Sequence, residues 1–207
     1  MAMTGGEWRD KLSMIGDALA HSGQEAEICI IGGVACMLDG MDARKSFDCD
    51  IFVPRSKFSS WALEKATRTV GLDFNPTNED PQTPYLQLIT PGIVQIGKFS
   101  DKTVVAHTGG LTVSVPPPEN LIASKLLRCS PKDLEDIAFL LAKHPSVKKD
   151  DVYAAIKTLP GSVRGVISEN SVFLDVLSAN SPYTTLHGTS NTHRQARPPL
   201  GGISKTA

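Results

Sequence analysis

The chain has 207 residues, of which 41% are apolar and 21% are charged, and its formal net charge is −1. This composition provides for a sizeable core in one or two globular domains, and it excludes a strong basic field that would attract nucleic acid or an anionic membrane. Because the N-terminal residues lack a signal-peptide core and no apolar run has membrane-spanning length, we expect a cytoplasmic protein without membrane contacts.

The first half of the chain is predicted to alternate helices and strands. Thr4 and Glu7 form a capping-box pattern, which predicts a first helix that ends near Gly23. The elements expected after it are a buried strand over 27–31, a short helix over 34–38, a strand over 46–53 and an amphipathic helix over 57–70.

Two hairpins are predicted after a polar loop at 75–84. The first would pair 85–89 with 93–99, and the second would pair 104–107 with 111–115. Consecutive strands joined by turns predict a mixed or mostly antiparallel sheet rather than a doubly wound one.

A run of three prolines at 116–118 marks the change to a helical region. Helices are predicted after it over 119–128, 133–142, 150–159 and 163–177. From residue 179 the chain is mostly Ser, Thr, Asn, Gly and Pro, which predicts a disordered tail. The predicted fold is therefore α+β, with an α/β core at 1–115, a helical lobe at 116–178 and a tail at 179–207.

Asp48 and Asp50 form the pair of residues that most strongly suggests chemistry. Their spacing on a strand places both carboxylates on one face, while Phe47, Cys49 and Ile51 are expected to face the core. Two close carboxylates repel each other unless a cation neutralises them, and carboxylate oxygens are typical Mg²⁺ ligands. The alternative is a solvent-facing strand with acidic outer positions, although aspartate is depleted in strands.

Gly32 and Gly33 leave the preceding strand and open a short helix. Without side chains, they could let backbone N–H groups meet a phosphate at the start of that helix. The alternative is a tight turn that needs glycine only for its backbone conformation. Four cysteines and five histidines show no metal-ligand spacing, so we assign the cysteines to structure and no histidine to a site.

These motifs together resemble the nucleotidyltransferase superfamily with a DNA-polymerase-beta-like core. Within it, the similarity is to small bacterial members related to the abortive-infection and type IV toxin–antitoxin nucleotidyltransferases. The resemblance extends over roughly residues 27–141. Its two blocks are Gly32-Gly33-Val34-Ala35 with Gly40, Arg44, Ser46 and Asp48-x-Asp50, and then Pro117-x-Glu119-Asn120-Leu121-Ile122-Ala123-Ser124-Lys125-Leu126 with Pro131-Lys132-Asp133-Leu134-Glu135-Asp136-Ile137.

The resemblance implies an enzyme that uses Mg²⁺ or Mn²⁺. It would move a nucleoside monophosphate from an NTP to a hydroxyl of a protein, RNA or small-molecule acceptor, with pyrophosphate leaving. A role as the toxin of a toxin–antitoxin pair, with a cognate antitoxin as partner, is also implied. The implied site residues are Asp48 and Asp50 for catalysis and the metal, and Gly32, Gly33, Arg44, Ser46 and Lys125 for the nucleotide.

Lys125 and the acidic residues after it also have simpler interpretations. Lys125 could lie on the exposed edge of an amphipathic helix. Asp133 could simply stabilise the first turn of a helix through the helix dipole. We assign neither Asp133 nor Asp136 to the site.

The sequence departs from the family pattern at the third carboxylate. The family usually carries this group on a following strand, and the predicted strand at 92–98 has Gln95 there. A neutral amide cannot take the acceptor's proton and binds Mg²⁺ poorly. Asp73, Asp80 and Asp101 lie nearby without an apolar–Asp–apolar setting. One of these could substitute for it, or solvent or substrate could take the acceptor's proton. The third possibility, which is the alternative function, is a catalytically impaired relative that binds a nucleotide or a partner.

Overall fold

The computed structural model describes residues 1–77, 81–92 and 94–179. Its strands are β1 (Met3–Thr4), β2 (Ala26–Ile31), β3 (Lys45–Ser46), β4 (Asp48–Phe52), β5 (Asp73–Phe74), β6 (Tyr85–Ile89), β7 (Thr103–Thr108) and β8 (Leu111–Val115). Its helices are α1 (Gly5–His21), α2 (Gly32–Leu38), α3 (Ser60–Thr69), α4 (Pro118–Arg128), α5 (Pro131–Lys143), α6 (Lys149–Lys157), α7 (Gly161–Asn170) and α8 (Val172–Ala179), with a 3₁₀ turn at Val53–Arg55.

Helix α1 begins at the predicted capping box. The Thr4 hydroxyl accepts a hydrogen bond from the Glu7 N–H at 3.3 Å, and the Thr4 N–H donates to the Glu7 carboxylate at 2.7 Å. The apolar stripe of this helix, which includes Trp8 and Leu19, is fully buried against the sheet. The predicted first helix is therefore confirmed, including its cap.

The main sheet is mixed, with strand order β5-β6-β4-β2-β8-β7. β2 pairs antiparallel with β4 and parallel with β8, and β7 and β8 form the predicted second hairpin. β6 pairs parallel with both β4 and β5. The predicted mixed sheet is confirmed, but it is not mostly antiparallel. No helix in the described part of the chain is long and apolar enough to cross a membrane.

The predicted first hairpin is wrong, because residues 94–99 are not a strand. β6 has β4 on one edge, and on the other edge β5 pairs with Tyr85 and Leu86 while the Asn75 side chain accepts from the Leu88 N–H. The segment runs instead to the helical region, where the Lys98 N–H donates to the Thr158 hydroxyl at 2.8 Å. A Cβ on Gly97 would lie 2.7 Å from the Ala155 carbonyl oxygen. The backbone of this segment therefore contacts the helical region at Gly97 and Lys98, while Phe99 packs on Phe52 at the end of β4.

Smaller differences occur at helix ends. Helix α3 begins at Ser60, later than expected, because Ser59 caps it through its hydroxyl. The helix predicted over 163–177 is divided into α7 and α8 at Ser171, and the Asn170 side chain at this break donates to the Leu126 carbonyl at 2.7 Å. The predicted tail lies outside the described residues, except for its first residue, Ala179, which ends α8.

Gly16 allows α1 to approach the turn between β7 and β8. A Cβ at this position would lie 2.9 Å from the backbone carbonyl carbon of Thr108, whereas a Cβ on Gly6 in the same helix would have nothing within 4 Å. We expect Gly16→Ala to lower the free energy of unfolding by about 1–3 kcal/mol through overpacking. Gly6→Ala, the matched control, should raise it by up to about 1 kcal/mol through helix propensity. Urea denaturation of both variants measures this difference, and equal effects would contradict the close approach.

Candidate functional site

The two aspartates of β4 share one face of the sheet, as predicted. Cys49 and Ile51, on the other face, are fully buried. The Ser46 hydroxyl donates to the Asp48 carboxylate at 2.8 Å, which orients that side chain. Phe47 is only half-buried, contrary to the prediction, because it precedes β4 and contacts an aromatic ring on β6 edge-on rather than entering the core.

Gly32 is required by the carboxylate of Asp50. Antiparallel pairing sets Ile31 opposite Asp50, so the first residue of α2 lies against that side chain. Gly32 has φ +70°, and a Cβ there would lie 2.6 Å from Asp50 Oδ2. Any other residue would meet both backbone strain and a clash. The structure thus brings these two predicted site residues together.

Gly33 leaves room for the guanidinium of Arg44. A Cβ on Gly33 would lie 2.6 Å from both Nε and Nη2 of Arg44. The Nη1 atom of Arg44 donates to Asp136 on α5 at 2.7 Å. Its Nε is buried without a hydrogen-bond partner among the described residues. Arg44 therefore connects the glycine turn to the helical region. Its charge is largely neutralised by the carboxylate of Asp136.

Lys125 on α4 is buried rather than placed on an exposed helix edge. Its ammonium forms an ion pair with Asp136, whose side chain is 0% exposed, and lies 4.0 Å from Asp133 Oδ1. Burial raises the pKa of the Asp136 carboxyl, and the charges of Lys125 and Arg44 oppose that shift. Asp136 thus joins two cations from different elements, a role that the sequence interpretation did not assign to it.

Arg128 is a basic residue of the site that the sequence interpretation missed. Its side chain is 73% exposed, yet two hydrogen bonds of 2.7 and 2.8 Å from its guanidinium to the buried Asp133 hold it in place. Ser130 donates to the same carboxylate from its N–H and its hydroxyl. Burial alone would raise the pKa of the Asp133 carboxyl. The hydrogen bonds from Arg128 and Ser130 lower this pKa to about 2. The available signal was the spacing Lys125-x-x-Arg128, one helical turn.

Some of these residues line one cavity between the sheet and the helical region, whereas Gly33, Arg44, Ser46 and Asp48 are not part of its wall. The cavity has a volume of about 240 Å³, and Gly32, Asp50, Lys125 and Arg128 contribute to its wall. Gln95 also lines it, although its segment is not the predicted strand. A larger, open cavity of about 680 Å³ lies at the other end of β2, away from the paired carboxylates. The smaller cavity is therefore the candidate site.

The electrostatics of the carboxylate pair favour a bound cation. Burial and the charge of Asp48 raise the pKa of Asp50 to about 7, and Lys125 and Arg128 only partly oppose this shift. Burial and the two carboxylates also raise the pKa of Tyr85 on β6. Hard oxygen ligands with uncompensated negative charge suit Mg²⁺ or Mn²⁺, so the residues present fit the metal that the resemblance implies.

The strand beside β4 also lacks a third carboxylate. In the β4–β6 register, Asp48 is next to Tyr85 and Asp50 is next to Gln87. The nearest alternative on β5, Asp73, is in register with Tyr85 at the far side of β6, and Asp80 lies outside the described residues. Over 1–77, 81–92 and 94–179, no group of three or more His, Cys, Asp or Glu side chains is placed to hold a metal ion.

Comparisons of the chain with protein-family models, curated proteins and solved structures give no match. The geometry of the site and the motifs of the sequence therefore carry the functional argument. The first predicted block supplies Gly32 and Asp50 to the cavity, and the second supplies Lys125 and Asp133 to its facing wall. Arg44 connects the two blocks through Asp136.

Proposed function

We propose that this protein is a magnesium-dependent nucleotidyltransferase with a nucleotidyltransferase-like core. It moves a nucleoside monophosphate from an NTP to an acceptor hydroxyl. The observation that carries this proposal is an uncompensated carboxylate pair at a cavity whose facing wall presents an exposed, oriented arginine. Such a site offers oxygen ligands to a cation on one side and a fork of N–H donors to phosphate on the other.

The residues of the site have distinct roles in this proposal. Asp48 and Asp50 hold Mg²⁺, and Arg128, oriented by Asp133, binds the nucleotide phosphates. Lys125 contributes positive charge from the cavity wall, while its pairing with Asp136 fixes its position. When bound, Mg²⁺ supplies neutralisation of the charge that develops on the phosphates. The chain's own groups bind the triphosphate and orient it along the line of attack.

The bond changes follow from the two substrates. A bond forms between the acceptor oxygen and the α-phosphorus, and the bond from that phosphorus to the bridging oxygen breaks. Pyrophosphate leaves with the electron pair, and the acceptor proton passes to water. Neither Gln95 nor Gln87 can act as a base for that proton.

The missing third carboxylate favours a second candidate function. A chain with a nucleotide cradle and no general base could bind NTP, or a partner, without efficient transfer. Both candidates are compatible with a toxin–antitoxin pair in which a cognate antitoxin is the partner. The two candidates differ in whether the nucleoside monophosphate is transferred from the NTP to an acceptor.

We expect Asp48→Asn and Asp50→Asn each to reduce nucleotidyl transfer by at least about 100-fold, because a metal ligand is removed. The measurement is transfer of label from α-labelled NTPs, with Mg²⁺ and cell extract as the source of acceptor. Asp101→Asn, which neutralises an exposed aspartate outside the cavity, is the matched control and should retain full transfer.

Two other outcomes are informative. Metal-dependent NTP binding by the unmodified chain without transfer to any acceptor would favour the binding module over the enzyme. Absence of metal-dependent NTP binding would exclude the enzyme and the nucleotide-binding form of the second candidate.

A further inference from the structure

Tyr85 on β6 lies beside the carboxylate pair. Parallel register sets it next to Asp48, at a strand spacing of about 4.8 Å, and both side chains are on the same face of the sheet. Leu86, the next residue, is fully buried on the opposite face. Burial raises the pKa of the Tyr85 phenol, and the charges of Asp48 and Asp50 raise it further, so the hydroxyl lies within electrostatic range of both carboxylates. The phenol is therefore a protonated hydroxyl at the margin of the candidate site.

The hydroxyl of Tyr85 is available for reaction, unlike other hydroxyls near the site. Three serine hydroxyls there already donate hydrogen bonds of 2.6 to 2.9 Å to a carboxylate or a backbone carbonyl, and they belong to Ser46, Ser124 and Ser130. The Tyr85 ring meets Phe47 edge-on, and its hydroxyl has no hydrogen-bond partner among the described residues. A hydroxyl without a partner keeps both its proton and its lone pairs free.

The carboxylate pair separates Tyr85 from the cationic wall of the cavity. Asp50 lines the cavity, where it faces the charges of Lys125 and Arg128, whereas Asp48 and Tyr85 are not part of its wall. In phosphoryl transfer, the attacking and leaving oxygens lie on opposite sides of the phosphorus. A nucleotide whose leaving phosphates are bound at the cationic wall is therefore attacked from the side on which Tyr85 lies.

We propose that Tyr85 is itself an acceptor, and that the protein attaches a nucleoside monophosphate to its own chain. This inference rests on the proposed function and names one acceptor of the reaction. The phenolic oxygen bonds to the α-phosphorus of the NTP, and the bond from that phosphorus to the bridging oxygen breaks. Pyrophosphate leaves with the electron pair, and the phenolic proton passes to water. A phenol is the most acidic of the hydroxyl side chains, so its reaction depends least on the general base that the described residues lack.

The test incubates the purified full chain with Mg²⁺ and an α-labelled NTP, without cell extract. Intact-mass measurement counts the nucleoside monophosphates on each chain, and peptide mass spectrometry locates them. Tyr85→Phe removes only the phenolic hydroxyl. Tyr153→Phe, which makes the same change at a half-buried tyrosine on α6, is the matched control. Mg²⁺-dependent NTP binding is measured separately for every protein, so that loss of label is not mistaken for loss of binding.

We expect the unmodified chain to gain the mass of a single nucleoside monophosphate, located on Tyr85. Because the acceptor belongs to the same chain as the site, the rate should not change when the protein is diluted. Tyr85→Phe should lower self-labelling by at least about tenfold, because the attacking oxygen is absent, and it should still bind NTP in the presence of Mg²⁺. Tyr153→Phe should be labelled like the unmodified chain.

Three results would overturn the inference and leave the proposed function standing. They are label on a residue other than Tyr85, equal labelling of the two phenylalanine variants, and transfer to an acceptor in cell extract without label on the chain itself. A rate that falls on dilution would show that one chain labels another, which contradicts modification within the same chain.

Failure of the proposed function has a different signature. NTP binding without label on any acceptor, including those in cell extract, would overturn the transfer reaction together with this inference. Absence of metal-dependent NTP binding by the unmodified chain would overturn the nucleotide site itself. The two kinds of failure are therefore distinguishable.

Discussion

Asp136→Ala is expected to lower the free energy of unfolding by about 3–5 kcal/mol, because it leaves buried cations without their counter-charge. The carboxylate is 0% exposed and joins Arg44 of the core to Lys125 of α4. Both cations would remain in the protein interior after the substitution, and their desolvation would no longer be offset. Urea denaturation, with the slope of the transition checked for constancy, measures the loss.

Asp175→Ala is the matched control for this prediction. Asp175 also forms an ion pair with a lysine, Lys149, but its side chain is 61% exposed. Removing an exposed pair is expected to cost at most about 1 kcal/mol. If the two substitutions cost the same, the Asp136 cluster does not connect the core to the helical region. Replacing Arg44, Lys125 and Asp136 together with apolar residues should recover much of the lost stability.

Asp50→Asn is expected to stabilise the folded protein above pH 7 by about 1–3 kcal/mol. Folding raises the pKa of Asp50 from 3.8 to about 7, so between these values the folded state binds a proton that the unfolded state has released. The unmodified chain therefore loses stability as pH rises from about 4 to about 7, and the full loss is present above pH 7. The variant carries no ionisable group there and should lack this dependence.

Mg²⁺ should stabilise the unmodified chain more than the Asp50→Asn variant. Above pH 7, the metal is expected to raise the stability of the unmodified chain, because it binds the ionised carboxylates of the folded state. Asp50→Asn should show little of this gain. Thermal denaturation across pH 5–8, with and without Mg²⁺, gives both results, and Asp101→Asn serves as the control. A variant less stable than the unmodified chain at pH 8 would show that the Asp50 carboxylate does not destabilise the fold.

The expected destabilisation by Asp50 coincides with the candidate site. Groups that cost stability are expected at functional sites, and in the proposed function the two adjacent carboxylates beside the glycine turn are such groups. Gly32 leaves room for the carboxylate of Asp50, and Gly33 leaves room for the guanidinium of Arg44, which is paired with Asp136. The two glycines at this turn are explained by the side chains of Asp50 and Arg44 that lie against them.

Sequence patterns predicted elements well where short-range chemistry dominates. The capping box at Thr4, the strand before Gly32 and the β7–β8 hairpin are all present. Patterns failed at 94–99, because alternating apolar residues fit a strand and a segment packed on helices equally well. Gln95 lines the cavity, although the strand that was predicted to carry it is absent.

The sequence by itself determined the carboxylate pair, the glycine turn and the order of the two blocks, since these depend on strand periodicity and on residues close along the chain. Only the tertiary structure decided how charge is distributed around them. Lys125 is buried and paired with Asp136, whereas Arg128 is exposed and oriented by Asp133. The reason is physical: pairing partners lie on different helices and strands, and burial sets the cost of each charge.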